Sequence, residues 1–544
     1  MTTNTDISVL IAGGGPVGLT LALTLASFGV RCRVAERNEG PTRHPKMDIT
    51  NSRSMELFRK IGVADALRAA AVPDDHPFDV SWVTHMRGHE LYRFGYPGPA
   101  EHVAMVRAAN DGTRSTEAPM RISQVVVEPI LRDHALASPL IQLGYNCRVA
   151  GFSDQGDHVA VELEYPEEDR AETVTCAYLA GCDGGGSLVR RSLGIGLEGD
   201  ENFRRRYSIH FTSPDKAVLE RWGRAWHYQS ATHGTMVSQD GGDIWTLHAI
   251  VPQGTDFGAV DPKQVLFGFT GGPIECDVTQ ANDWMSRLVV ADHYRAGRAF
   301  LVGDAAHQYV PTGGYGMNTG IGDAIDLGWK LGAVVSGWGG AGLLESYQTE
   351  RRPVGLRNCQ GSREHALTRG RVAEDWPDAL FEDGAAGDVA REAQGERLKA
   401  IGNHENESFG IEQGYCYADS AIIDHSGATS PAFDPLRYQP LAAPGLRIPS
   451  VLLQDGADLY SRLGAGFTLI DFTGKLGPES VESRDSAAGS AQNIPLSVLS
   501  LDDHHARDIF GKDYVLVRPD HHCAWCGNAP PADMDALLAL VSGN

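Results

Sequence analysis

Two apolar periodicities alternate along the chain. Residues 6–12 (DISVLIA) form a short β-branched run that predicts a buried strand, and helical spacing follows to about Ser27. Arg31 to Ala35 predicts a second strand, and Met55, Phe58 and Ile61 share one face of a helix. Asp74 to Tyr96 alternates around VSWVTH and ELYRFGY and reads as an insertion, a helix begins near Gln124, and two strands run from Val159 to Leu179. From about Gly194 to Val290 the patterns RAWHYQ, GTMVSQ and DIWTLHAIV lack helical crossovers. They predict an antiparallel sheet with one face on a pocket and the other on solvent. A buried strand is expected at Ala299–Val302, with helical spacing from Asn318 onward. Late strands at Gly466–Asp471 and Asp513–Arg518 precede an amphipathic helix over Met534–Val541.

Glycines and acidic residues punctuate these elements at three places. Gly13-Gly14-Gly15-Pro16-Val17-Gly18 lies between the first strand and the first helix, a GxGxxG in the context that holds a pyrophosphate at a helix N-terminus. Glu36 closes the second strand about 20 residues on, where a carboxylate accepts both ribose hydroxyls. A dinucleotide is expected, with NAD and FAD both open at this point. At the second place, Asp183-Gly184 ends a strand and is followed by Ser187 and Arg190, although Asp-Gly is also a common turn. At the third, Gly303-Asp304 ends the Ala299 strand, and Gly313, Gly314 and Gly316 lead into a helix. That makes an anion-friendly cradle, the alternative being a glycine-rich surface loop. Asp48 precedes the Met55 helix, where an acidic residue ordinarily complements the helix dipole.

Length and charge narrow the class. A chain of 544 residues needs two or three domains. Its net charge of -23 opposes nucleic-acid and anionic-membrane partners. Without an apolar run of about 18 residues or a secretory start, a soluble cytoplasmic protein is expected. The nine cysteines are odd in number and mostly scattered, as reduced thiols are. Cys523 and Cys526 form a CxxC, but it follows a late strand instead of opening a helix after the first one, so a chance pair in a late turn is favoured over disulfide exchange. A zinc site with His521 or His522 would have only half the usual spacing, and no metal is assigned.

In this order the three glycine and acidic stretches resemble the single-component FAD-dependent aromatic hydroxylases, the family of p-hydroxybenzoate hydroxylase and phenol hydroxylase. The N-terminal part is most similar to longer members such as 2-hydroxybiphenyl 3-monooxygenase. The resemblance implies an α/β fold: a Rossmann-like FAD-binding domain (1–76, 103–193 and 291–360), an antiparallel-sheet substrate domain (77–102 and 194–290), a helical linker (361–440) and a thioredoxin-like C-terminal domain (441–544). It implies FAD as cofactor, with Gly13, Gly15, Gly18, Glu36 and Arg37 on the adenosine-diphosphate half. Gln124, Asp183 and Asp304 would hold or support the ribityl and diphosphate portion, and Pro311, Gly316, Met317 and Asn318 would lie beside the isoalloxazine ring. Lys46 stands where p-hydroxybenzoate hydroxylase has an arginine near the flavin.

Asp48 matches a position implicated with the substrate hydroxyl in the longer members, and with Pro311 it makes up the catalytic assignment. Trp226, Tyr228, Trp245 and His248 are the candidates to line the pocket. The activity implied is hydroxylation of a phenolic ring, ortho to its hydroxyl, with NADH or NADPH and O2 through a flavin C4a-hydroperoxide, by a homodimer. Such an oxidant is electrophilic and needs an electron-rich ring, so a carboxylate that draws the proton from a phenol belongs beside the substrate. The alternatives are Baeyer-Villiger or epoxidising oxygenation of a polyketide-like substrate, and a flavin-binding protein without turnover.

Overall fold

The computed structural model describes residues 7–43, 47–252, 254–476 and 494–544. Its first sheet places strands in the order Arg295–Ala296, Ala299–Leu301, Arg170–Gly181, Ile7–Ala12, Cys32–Ala35 and Ile141–Gly144. Arg170–Gly181 has three partners: its first half pairs antiparallel with Val159–Tyr165, and its second half pairs parallel with Ile7–Ala12 and with Ala299–Leu301. The parallel strands are buried on both faces, so they read as continuous apolar runs, and helices Pro16–Ser27 and Tyr315–Val335 pack against each other over them. All three glycine and acidic stretches therefore emerge from strand ends of one sheet.

A second sheet runs in the order His307–Gln308, Asp277–Ala291, Leu197–Thr212, Ile244–Ala249, Gly234–Ser238, His227–Ser230, Val80–Val83 and Glu90–Phe94. The insertion near residue 80 thus joins the later strands, with its inner strand parallel to His227–Ser230. The expectation of a solvent-facing side is corrected here. Helix Pro262–Thr270 covers that face, and Leu266 and Phe269 pack with Tyr207, Ile209, Phe211, Tyr228, Trp245 and Leu247 in a core of their own. With much of that face covered, polar side chains such as Gln229, Thr235 and His248 turn to a cavity that separates the sheet from the nucleotide-binding body.

The stretch read as exposed helices and linker has a different role. Helix Ala341–Ala373 continues through residue 360, and it and Phe409–Gln413 present residues to that cavity. Composition concealed this because a helix that roofs a polar pocket carries charge on both sides.

The C-terminal domain has a four-stranded sheet, Leu496–Ser500, Phe467–Asp471, Tyr514–Val517 and Cys523–Gly527, with one parallel and two antiparallel pairings, and helices His504–Phe510 and Met534–Val541. This is the thioredoxin-like arrangement. Cys523 and Cys526 lie within its last strand and not in a turn, both buried, as internal side chains of a sheet.

Buried charge joins this domain to the nucleotide-binding body. Arg518 donates to Glu350 at 2.7 and 2.8 Å and to Asp520 at 2.6 Å, while Lys330 donates to Glu350 at 2.6 Å and Asp326 at 2.8 Å. Asp326, Glu350 and Asp520 are the one carboxylate cluster among the described residues with metal-ligand spacing, and each is already ion-paired with Lys330 or Arg518. Burial pushes Asp326 up to about 8 against the pull of Lys330. For Glu350 the same burial is outweighed by Arg518 and Lys330, which hold it at about 2. A second tie grips helix Ser52–Lys60: Arg447 donates to Glu56 at 2.8 Å, and Arg53 donates to the Asp520 carbonyl at 2.6 Å. That helix begins four residues after Asp48, so the C-terminal domain fixes the segment carrying it.

Candidate active site

The first glycine loop is shaped by close approach. Gly13 has φ +105°, and a Cβ on it would lie 2.3 Å from the Cys182 carbonyl oxygen; one on Gly18 would lie 2.0 Å from the Gly13 carbonyl oxygen. Gly15 differs, because a Cβ there meets no atom of the described residues within 4 Å. It is also the N-cap of helix Pro16–Ser27 and offers no side chain to the first-turn amides. Gly314 stands in the same relation to helix Tyr315–Val335, where the face of Gly316 is likewise open. Two helices thus present uncapped, positive N-termini to open space, which suits a diphosphate at one and the polar edge of a ring at the other.

Acidic residues frame these openings. Glu36 accepts from the Gly14 amide at 2.7 Å through Oε2 and from the Asn38 amide at 2.8 Å through Oε1, which orients its carboxylate, while Arg37 is exposed beside it. Gln124 opens helix Gln124–Ala137 and donates to Glu128 at 2.6 Å, and Glu128 accepts from the Thr42 amide at 2.6 Å. Asp183 Oδ2 accepts from the Leu188 and Val189 amides at 2.7 and 3.1 Å, whereas Oδ1 is buried without a hydrogen-bond partner among the described residues. Such an orphaned acceptor is expected where a ligand hydroxyl completes the set. Arg190 donates to the Gly185 carbonyl at 3.2 Å and the Ala305 carbonyl at 3.1 Å, lacing the Asp183 loop to the turn that presents the exposed Asp304. Lys46 lies outside the described residues.

At the ring end, Asn318 donates to the Ile49 carbonyl at 3.2 Å and the Gly314 carbonyl at 2.7 Å and accepts from the Asn51 amide at 3.1 Å. It ties the Asp48 segment to the glycine loop, and Met317 packs half-buried against the core behind it. Pro311 and Asn318 line a cavity of about 720 Å³ whose floor is the second sheet. Strand alternation decides which sheet residues reach it. Thr246 and His248 stand on the face opposite Trp245, Leu247 and Ala249, and His227 and Gln229 opposite Tyr228. Trp226 and His248 line the cavity. Tyr228 and Trp245 do not, because they point into the core on the far side, where the Tyr228 hydroxyl donates to the Gly223 carbonyl at 2.5 Å.

Asp48 stands at one corner of the cavity. Its Oδ2 accepts from Trp226 Nε1 at 2.5 Å, and the fully buried Arg121 lies behind, 5.9 Å from the Trp226 ring centroid. Burial pushes the Asp48 carboxyl up, opposed by the Trp226 hydrogen bond and by Arg121. Burial also holds His227 well below the usual histidine value and His248 down at about 3, so both rings are neutral. Sequence reading missed Arg121, Asn51, Arg369 and Glu412. Arg121 had one available signal, since its strand leads directly into the Gln124 helix; the others depend on contacts between distant segments.

These features define a flavoprotein oxygenase: two uncapped helix N-termini at one sheet's strand ends, beside a sheltered pocket with a buried carboxylate. Residues 6–362 match the FAD binding domain family, and residues 441–544 match the aromatic-ring hydroxylase C-terminal family. The chain belongs to the FAD-dependent aromatic-ring monooxygenases, and FAD is its cofactor. It is 35% identical to the FAD-dependent monooxygenase apdD of Emericella nidulans over 98% of this chain and 90% of that one. With phenol 2-monooxygenase of a Pseudomonas species it shares 26% identity over 99% and 93%. Among solved structures it superposes on the rebeccamycin biosynthetic enzyme RebC with reduced flavin (TM-score 0.87, 32% identity, 99% of both chains). It also superposes on aklavinone-11 hydroxylase with FAD and aklavinone (TM-score 0.80, 25% identity, 100% of both). No helix among the described residues is long and apolar enough to cross a membrane.

Proposed function

We propose that the protein hydroxylates a multi-ring phenol or enol, of the kind found among polyketides, next to the existing hydroxyl, with Asp48 as the group that takes its proton. The observation that carries this reading is the Asp48 carboxylate at the wall of a large cavity, anchored by Trp226 and raised by burial above the ordinary aspartate value. A volume of about 720 Å³ exceeds what a single ring needs and suits a fused system. Relatives named for phenol and for tetracenomycin A2 agree with that class.

Bound FAD, reduced by NADH or NADPH, supplies the activation of O2. The chain's own residues orient and shelter. Asp48 draws the proton from the substrate hydroxyl and enriches the ring ortho to it; Pro311 and Asn318, which line the cavity, would orient the ring toward bound FAD; and the sheet with the Ala341–Ala373 helix excludes water.

The test is single turnover of the FAD-loaded enzyme with a polycyclic phenol under 18O2. One 18O atom retained on the carbon beside the hydroxyl is the expected product. A lactone or an epoxide would replace this reading with oxygen insertion into a ketone or alkene. Failure of any compound in a phenol and polyketide panel to stimulate NAD(P)H oxidation would favour a flavin-binding protein without turnover.

A further inference from the structure

Strand Leu197–Thr212 crosses the cavity floor with three consecutive arginines. Alternation sends Arg205 to the far face, where it pairs with Asp283 at 2.6 Å and lies 4.4 Å over the Phe257 ring. Arg204 and Arg206 face the cavity. Among the described residues neither has an ion-pair partner, nor does either side chain make a hydrogen bond; Arg204 has the Phe203 ring 5.1 Å away. Arg369 lines the same wall and differs in being neutralised by Glu405 at 2.5 Å. Burial and the like charges of Arg204 and Arg369 depress Arg206 to about 10, so it is a cation without compensation. The neighbouring His248 is already neutral and Trp284 offers no anion. In a chain of net charge -23, a half-buried pair of unpaired guanidiniums inside the substrate cavity is costly unless a ligand supplies the counter-charge.

Position separates this pair from the reacting end. Register places His227 opposite Val237, Val237 opposite Thr246 and Thr246 opposite His210. Arg206 therefore lies three strand spacings across and four residues along from His227, on the order of 20 Å at the backbone. Asp48 and Trp226 adjoin His227, so the arginines occupy the diagonal corner.

We propose that the substrate is an organic anion, a fused aromatic system with a carboxylate or acidic enolate at the end remote from the reacting hydroxyl, and that Arg206 and Arg204 bind this anionic group. The inference rests on the monooxygenase reading of the same cavity but concerns binding alone.

The test uses the FAD-loaded protein and measures binding by equilibrium dialysis. Its probes are hydroxylated aromatic carboxylic acids of one to four fused rings, among them a dihydroxyanthraquinone carboxylic acid, each paired with its methyl ester. The tightest-binding acid should exceed its ester by about tenfold or more, the worth of one charge-assisted contact. Arg206→Gln should erase that preference while leaving the ester's affinity and the flavin content unchanged and without lowering the Tm of the ligand-free protein, and Arg206→Lys should restore part of it. The proposal falls if no acid in the series binds better than its ester, or if Arg206→Gln leaves the preference intact. It also falls if the substitution raises the KM for NADPH without altering the acid-to-ester ratio, since the guanidinium would then serve the dinucleotide phosphates. Tight, Arg206-dependent binding of an acid that is never hydroxylated would sink the proposed reaction and leave the anion site standing.

Discussion

Trp226 Nε1 donates to Asp48 Oδ2 at 2.5 Å across 178 positions of sequence, joining the floor of the substrate sheet to the segment that enters helix Ser52–Lys60. This contact fixes one carboxylate oxygen and favours the ionised form, while burial opposes ionisation. The proton affinity of Asp48 is therefore set by two domains meeting.

Replacing Asp48 by Asn should leave FAD content unchanged and lower the hydroxylation rate by about 10² to 10⁴. Rapid-quench product formation measures it, and a rate within twofold of wild type would remove Asp48 from the chemistry.

The pH dependence has a definite sign. Because burial raises the Asp48 carboxyl, the base is protonated and idle at low pH, and the rate should climb with pH through a limb above the ordinary aspartate value of about 3.9. Trp226→Phe removes a hydrogen bond to the charged form, so that limb should move to higher pH; movement to lower pH would contradict the assignment.

Two glycines should respond differently to a side chain. Gly18→Ala puts a Cβ 2.0 Å from the Gly13 carbonyl oxygen and should cost both folding and flavin. Gly15→Val enters open space and should keep the Tm of the apoprotein while FAD binding is lost. Calorimetry and flavin absorbance separate the outcomes.

Arg518→Met leaves Glu350 and Asp520 short of a cation in a buried network. A loss of about 3–5 kcal/mol is expected, read as a lowered denaturation midpoint. An unchanged midpoint would mean that the C-terminal domain docks without this contact.

The sequence alone determined the elements whose chemistry is local. A glycine needed for a positive φ or a close approach, a carboxylate at a strand end and an apolar run long enough for a buried strand depend on near neighbours, and so Gly13, Gly18, Glu36 and the Met534–Val541 helix were readable directly. Tertiary structure decided which faces point where. Tyr228 and Trp245 look as suited to a pocket as Trp226 and His248, and only the packing of helix Pro262–Thr270 against one side of the sheet assigns them to the core. The same holds for Arg121 behind Asp48 and for the residues beyond 360 that roof the cavity. Their roles come from contacts between segments far apart in the chain, and periodicity within one segment carries no information about what a fold will bring against it.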